Sequence, residues 1–365
     1  MRRILHVVTS LAASGTTCQL ALLADRLPPS EFEVHIAAID RDSTPSCELE
    51  KLGIETFIAN RRWAIDPVAF GRLHRQVKKL RPALVHTWLF SANAYGRLAA
   101  LAAGVREIVA TERHLDAWKL PYELAIDRRL ATRSYRVIAN SAAVRDFYVK
   151  CGLPQDRITV VPAGVEEAKP ALISRAELLS QLALRDDSKL IAYLGPLTVR
   201  KRIKELIWAA DQLKAVGTTA HLLVIGEGPL RRRLERYARQ NRVDDRVHFI
   251  GLRNDAREWL PHVDVLWHAS TTDGQSSAIL EAMAAGVPIV TADAPGNREL
   301  VIPGETGYLV PCDQRAGFAR HTLPILDDPE LARRLGSAGR RLVLERHRAE
   351  DYVERHARLY RELLA

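Results

Sequence analysis

Short runs of β-branched and aliphatic residues recur along the chain, separated by longer stretches in which apolar positions return every three or four residues. In the first half the runs are ILHVVT (4–9), FEVHIAAI (32–39), ALVHTW (83–88), EIVATE (107–112), YRVIANS (135–141) and ITVVPAG (158–164). In the second half they are KLIAYLG (189–195), HLLVIGEG (221–228), RVHFIGL (246–252), VDVLWHAS (263–270), PIVTAD (288–293) and TGYLVP (306–311). Near-continuous apolar runs, rather than alternating ones, belong to strands buried on both faces of a parallel sheet, and the periodic stretches between them supply crossover helices. The pattern predicts an α/β chain of two doubly wound, Rossmann-like domains.

The rhythm pauses between Val165 and Arg185, where Pro162, Gly164 and Pro170 punctuate the chain. The expected division is residues 1–168, residues 169–346 and a closing segment, 347–365. That segment carries a helical apolar stripe, Tyr352, Val353, His356, Leu359, Tyr360 and Leu363, suited to packing on the first domain rather than to catalysis. Ligands of open α/β sheets sit at the carboxyl ends of the strands, so two such domains are expected to face a cleft that holds the chemistry.

Composition narrows the class. A chain of 365 residues exceeds the size at which one core stops growing, and 47% hydrophobic with 27% charged residues describes a soluble globular protein. Cys18, Cys47, Cys151 and Cys312 lie far apart, which excludes a C-x-x-C pair and fits a reducing cytoplasm. MRRILHVVTSLAASG has the outline of a signal peptide, but His6, Thr9 and Ser10 interrupt it, and a buried first strand explains the run. No segment reaches the length of a membrane span. The net charge of +9 favours anionic partners such as nucleotide phosphates or acidic lipid headgroups. The basic clusters Lys78-Lys79-Leu80-Arg81 and Arg231-Arg232-Arg233 lie in helical patterns and read as solvated faces. No nucleic-acid motif accompanies them, so no nucleic-acid partner is expected.

The stretch DGQSSAILEAMAAGVP (273–288) has a different character. Asp273 follows an expected strand, Ser276 or Ser277 is placed to cap a helix, and Gly286 and Pro288 end it. Glu281 then lies about one turn inside. The amides of Gly274, Gln275, Ser276 and Ser277 form an anion site at the helix start, and Gly274 permits close approach. A diphosphate at that point, with Glu281 accepting from ribose and Asp273 from a sugar, fits a sugar nucleotide. The bland alternative is a strand-ending Asp273 and a solvated Glu281.

At these residues the sequence resembles the GT-B glycosyltransferases of family 4, the large retaining group. The resemblance rests on D-x7-E followed by AMAAGVPIVTADAPGNRELVIPGETGYLVP, with VVTSLAASGTTCQLALLA, VIANSAAVRDFYVKCGLPQDRITVVPAGV and LGPLTVRKRIKELIWAADQL in the same order. It implies a retaining enzyme that moves a sugar from a nucleoside-diphosphate sugar to a hydroxyl of an acceptor bound mainly by the N-terminal domain. It further implies donor contacts from Gly195, Gly274, Gln275, Ser276, Ser277 and Glu281, a diphosphate-neutralising Lys201, a loop at Ser14 to Thr16 including Gly15, and sugar contacts from Asp273 and His114. No residue reads as a covalent nucleophile, so same-face attack is expected, with the leaving diphosphate taking the acceptor's proton. No metal and no cofactor are expected, since Lys201 and the helix start supply the positive charge. The acceptor is a saccharide or a lipid-linked saccharide, with room for peripheral contact at the inner membrane face.

The chain departs from the family pattern at four places. Pro196 stands where an arginine is common, leaving Arg200 or Arg202 to replace its charge; Ser14-Gly15 replaces Gly-Gly; Ala163 replaces Asn; and Asp273 is one methylene shorter than Glu. Together they motivate a second reading, a sugar-nucleotide binder with weak or lost turnover. A nicotinamide dehydrogenase would need a G-x-G-x-x-G after the first strand, which is missing. Weaker candidates are His86, with a buried core histidine as the alternative, the turn Gly226-Glu227-Gly228, and Asp40-Arg41-Asp42. The last resembles the D-x-D metal site of the other large glycosyltransferase fold but reads as a surface loop.

Overall fold

A computed structural model of the chain describes residues 1–41 and 46–365. The chain divides into two compact units, Met1–Gly164 with Ala349–Ala365, and Val165–Arg348. The changes fall at Gly164 and Ala349 rather than at the expected 168 and 347. The reason is local: Val165 pairs with Arg348 and donates its N–H to His347 O at 2.8 Å, so both crossing segments begin and end in the second unit.

The first unit holds a seven-stranded sheet of β1 (Arg2–Val8), β2 (Phe32–Asp40), β3 (Thr56–Arg61), β4 (Leu84–Trp88), β5 (Ile108–Glu112), β6 (Arg136–Ala139) and β7 (Ile158–Val160). Its order is β3-β2-β1-β4-β5-β6-β7, parallel throughout. Strand β3 escapes the sequence pattern because TFIANR has a single buried residue, Ala59, and ends in polar residues, so it lacks a continuous apolar run. The second unit holds β8 (Lys189–Leu194), β9 (Ala220–Ile225), β10 (Val247–Gly251), β11 (Val265–His268), β12 (Ile289–Ala292) and β13 (Gly307–Val310), in the order β10-β9-β8-β11-β12-β13, again parallel. Each order reverses direction once, between β1 and β4 and between β8 and β11, and those reversals open a crevice at the carboxyl ends of the strands.

Two buried polar clusters shape the first unit. The closing helix Ala349–Leu364 buries its whole apolar stripe, including His356 and Tyr360, against that unit's core. Beneath it, register partners His6 on β1 and His86 on β4 lie with ring centroids 5.2 Å apart, and His356 is 5.8 Å from His86. His86 is a core residue: Nδ1 meets Tyr360 Oη and Nε2 meets Thr111 Oγ1, both at 2.6 Å. Burial keeps all three rings neutral, aided at His6 and His86 by repulsion from the other rings and at His356 by Arg113, with His6 pushed down to about 3, His356 to about 4 and His86 well below its ordinary value.

The second cluster joins Glu112, Asp116, Asp127, Arg97 and Lys119. Lys119 Nζ lies 2.8 Å from Asp127, 3.4 Å from Glu112 and Asp116, and 2.6 Å from Tyr148 Oη; Arg97 takes the other oxygen of Asp127 at 2.9 Å. Burial opposes the charge on Lys119, but the three carboxylates outweigh it and hold the ammonium protonated. Burial also raises Glu112 to about 7, against the pull of Lys119.

These shifts set the pH response. A neutral histidine stabilises the fold above its unfolded pKa of about 6.5, and that contribution is lost as pH falls toward the folded value. Glu112 has the opposite sign between its unfolded value and about 7, but it is one group against three. Acidification from pH 7 to 5 is therefore expected to weaken the first unit, by roughly 1–3 kcal/mol per pH unit below about 6. Hydrogen exchange in peptides from residues 349–365 should slow less between pH 7 and pH 5 than the intrinsic rate does.

Candidate functional site

The crevice of the second unit gathers most of the residues singled out from sequence. Strand β8 ends at Leu194, and Gly195 turns the chain at a φ of +143°. The loop Gly195-Pro196-Leu197 then lies against Gly226-Glu227-Gly228, with Gly195 N–H donating to Ile225 O and Leu197 N–H to Glu227 O. A Cβ on Gly226 would stand 2.0 Å from Gly195 O, so this contact demands glycine. A short turn, Val199–Lys201, delivers Lys201 to the site, and Arg202, in the left-handed conformation, starts the next helix.

Across the reversal, β11 leads into Asp273, which is buried. Its Oδ2 accepts from Lys201 Nζ at 2.5 Å and from His268 Nε2 at 2.9 Å. Burial keeps His268 neutral, so the imidazole donates an uncharged N–H to the carboxylate. The helix Ser277–Ala284 follows, with Ser276 at its N-cap. The Ser276 side chain makes no capping bond, and the first intrahelical bond runs from Leu280 N–H to Ser276 O at 3.1 Å. The amides ahead of it point out of the helix start, where the helix dipole adds positive potential. Gln275 Nε2 donates to Glu299 Oε2 at 3.4 Å. Gly274 is held from behind by Gly296: a Cβ there would meet Gly274 O at 1.9 Å.

Glu281 sits just past the first turn, and its Oε1 accepts from Arg257 Nη2 at 2.9 Å, which corrects the picture of a solvated helix residue. Its Oε2 carries no protein hydrogen bond among the described residues. Of the two cations offered in place of Pro196, Arg202 is occupied by Glu205 and by Cys312 O. Arg200 has no carboxylate partner among the described residues, and its charge is felt at the buried Tyr193 hydroxyl, which donates to Pro196 O at 3.0 Å. Arg200 is thus the available replacement.

Gly15 and His114 belong to the first unit. Gly15 is the first residue of the helix Gly15–Arg26, whose cap is a reciprocal pair: Ser14 Oγ accepts from Thr17 N–H, and Thr17 Oγ1 accepts from Ser14 N–H. Neither Ser14 nor Gly15 takes a positive φ, so serine costs the loop no backbone freedom and instead fixes it. His114 lies half-buried two residues past the end of β5, and Ala163 is buried. Asp40 is bound to Arg61 at 2.6 Å, and Asp42 lies outside the described residues. Sequence reasoning missed His268, Arg257 and Gly296. His268 closes an apolar run and Arg257 lies in a short polar helix, and neither carries a pattern that marks its role.

Among the described residues, no group of three or more His, Cys, Asp or Glu is arranged to hold a metal ion, and no helix is long and apolar enough to cross a membrane.

The comparisons bear on both units. Residues 174–342 match the family model described as Glycosyl transferases group 1, and residues 13–169 match the one described as Glycosyltransferase Family 4. The chain is 28% identical to EpsD of Bacillus subtilis (strain 168) over 349 residues, 90% of this chain and 89% of that one. It is 25% identical over 350 residues, 90% and 89% of the two chains, to the UDP-Gal:alpha-D-GlcNAc-diphosphoundecaprenol alpha-1,3-galactosyltransferase of Escherichia coli. Among solved structures, Anabaena Alr3699/HepE in complex with UDP-glucose superposes with a TM-score of 0.85 at 20% identity, covering 99% of this chain and 100% of that one.

The pair Lys201–Asp273 makes a direct prediction. Removing one partner of a buried ion pair costs about 3–5 kcal/mol, whereas an apolar replacement of both is near neutral. Lys201→Met is expected to lower the urea midpoint markedly, and adding Asp273→Leu should recover most of the loss. An unchanged midpoint in the single variant means that the pair does not form in solution.

Proposed function

The chain belongs to the group 1 glycosyltransferases of family 4, enzymes of the hexosyltransferase class with the GT-B fold, and from that premise we propose that its second unit binds a nucleoside-diphosphate sugar at the start of the helix Ser277–Ala284. The observation that carries this reading is the meeting, at the β8/β11 reversal, of a lysine, a buried carboxylate and outward-pointing amides. Lys201, Arg200 and the helix start oppose the charge that grows on the diphosphate as the glycosidic bond breaks. Gly195 and Gly274 keep side chains away from it, and Glu281 Oε2 accepts from the ribose diol. Gln275, Ser276 and Ser277 line the sugar and phosphates. Gly15 and His114 enter this reading through the family resemblance alone.

The reaction is transfer with retention. Asp273 is held by Lys201 and His268 through Oδ2, an arrangement suited to a fixed hydrogen-bond acceptor for the sugar. Same-face attack is the better supported course: the acceptor oxygen bonds to the anomeric carbon, the bond to the diphosphate breaks, and the diphosphate oxygen takes the acceptor's proton. The lysine and arginine do a cation's work in this scheme, so no metal is required. The E. coli relative's name specifies a UDP-sugar donor and a diphosphoundecaprenol-linked acceptor. For this chain we take the same classes, a nucleotide sugar and a saccharide or lipid-linked saccharide.

Thermal-shift titration with UDP-, GDP- and ADP-sugars should stabilise the protein with one base preferred. Glu281→Ala is expected to weaken that nucleotide about tenfold or more, the loss of one charge-assisted hydrogen-bond pair. EDTA should change neither binding nor turnover, and NMR should show the donor's anomeric configuration in the product. Unchanged affinity in Glu281→Ala sinks the donor assignment.

A further inference from the structure

The first unit contains a cavity of about 1130 Å³ that plays no part in the donor site. It starts at the β1/β4 reversal, where Ser10, Phe90 and Ser91 line it, and runs between the segment 61–67 and the helices Leu89–Ala102 and Pro121–Ala131. A ligand site at a sheet reversal is the ordinary arrangement. Its chemistry is not that of a sugar site.

The walls are aliphatic and aromatic: Trp63, Ile65, Tyr95, Trp118, Tyr122 and Ile126. Among the described residues no Asn or Gln lines the cavity, and several of its polar groups are spent within the protein. Asp66 caps the helix Pro67–Leu80, Asp40 holds Arg61, Glu123 accepts from Leu120 N–H, and the Tyr95 hydroxyl donates to Ala64 O. Few groups are left for saccharide hydroxyls. The apolar walls meanwhile stand in water: Ile65 is 84% exposed, Trp63 65%, Tyr122 60% and Trp118 54%. The helix Leu89–Ala102 is apolar on its buried face and again on the face toward the cavity, where Leu98 is 45% exposed. An exposed, contiguous apolar surface of this kind marks a binding surface.

Charge says what kind of occupant fits. Arg62 stands on one wall, and Arg129 and Arg133 on the other, and no carboxylate pairs with any of the three among the described residues. An apolar trough rimmed by unpaired guanidinium groups complements a molecule with a long hydrocarbon chain and a phosphate at one end.

We propose that this cavity binds one lipid phosphate, with its hydrocarbon chain along the apolar walls and its phosphate at the arginine rim, and that the acceptor is therefore lipid-linked. The assignment of that lipid as acceptor rests on the glycosyltransferase reading; the binding itself does not.

The test uses the full chain with farnesyl phosphate below its aggregation concentration, read by intrinsic tryptophan fluorescence, with farnesol and inorganic phosphate as controls. Farnesyl phosphate should bind more tightly than either. Ile65→Glu and Tyr122→Glu, at exposed positions that tolerate polar side chains, should each weaken it about tenfold, the loss expected for placing a charge against one buried apolar contact. The double variant Arg129→Glu/Arg133→Glu should weaken farnesyl phosphate strongly and leave farnesol nearly unchanged. Nucleotide-sugar thermal shifts on the same variants should match the parent, so a failed donor reading and a failed lipid reading give different results. Equal affinity for inorganic and farnesyl phosphate, or no effect of Ile65→Glu, overturns the proposal. So does a protein that floats with phosphatidylglycerol/phosphatidylcholine vesicles through Ile65 while its farnesyl phosphate affinity ignores that residue, since the surface is then a membrane rest.

Discussion

Parallel pairing is the constraint from which the candidate site follows. Each described strand pair in both sheets is parallel, so every connection must cross over a face and every strand-to-helix loop emerges at the same edge. Where the strand order reverses, the helices on either side go to opposite faces and no helix covers the gap. Lys201 and Asp273, 72 residues apart, meet there because one follows β8 and the other follows β11. The glycines at 226 and 296 serve the same purpose, letting backbones close on one another so that the loops hold their places, and Gly195 supplies a φ of +143° at the turn. Position is set by topology, and the chemistry is laid on it afterwards.

Buried charge appears twice in this protein, with different meaning. In the first unit, Lys119 is surrounded by three carboxylates, a phenol and two aromatic faces, at the end of a strand but sealed from water. Such a cluster ties Leu89–Ala102 to Pro121–Ala131, and all three donors of Lys119 are turned inward on it. In the second unit, Lys201 retains some exposure beside Asp273 at the crevice, and it lies next to an arginine without a carboxylate partner among the described residues. An ammonium ion has three protons to donate, and one is spent on Asp273. The pair positions the lysine without exhausting it, which is what recognition of an incoming anion requires.

The rhythm of apolar runs was legible because strands covered on both faces must be apolar along their length, and twelve runs fell on strands that the structure forms. Strand β3 was not, because its sequence TFIANR buries only Ala59 and ends in polar residues. Site residues were legible where backbone chemistry dictates type: Gly274 and Ser276 at a helix start, Gly195 after a strand. Partnerships were not. Nothing in sequence links Arg257 to Glu281, His268 to Asp273, or Arg202 to Cys312 O, since each joins segments that only the sheet order brings together. The lipid-sized cavity was invisible for the same reason. Its walls come from three segments, each of which reads alone as ordinary amphipathic helix or loop.

Three of the departures from the family pattern have local structural counterparts. Ser14 gives up a flexible glycine but gains a cap that fixes the start of Gly15–Arg26. Pro196 removes a side-chain cation, yet its carbonyl accepts from Tyr193, and its ring restrains a loop already pinned by Gly226 and Glu227. A positive charge is still present a few residues on, at Arg200, and its field opposes the burial that raises the Tyr193 hydroxyl. Asp273, shorter than glutamate, is met by Lys201 and His268 at hydrogen-bonding distance, so the missing methylene is absorbed by its partners. On the proposed donor reading, the cations Lys201 and Arg200 and the start of the helix Ser277–Ala284 are the groups that would oppose the charge on a departing diphosphate.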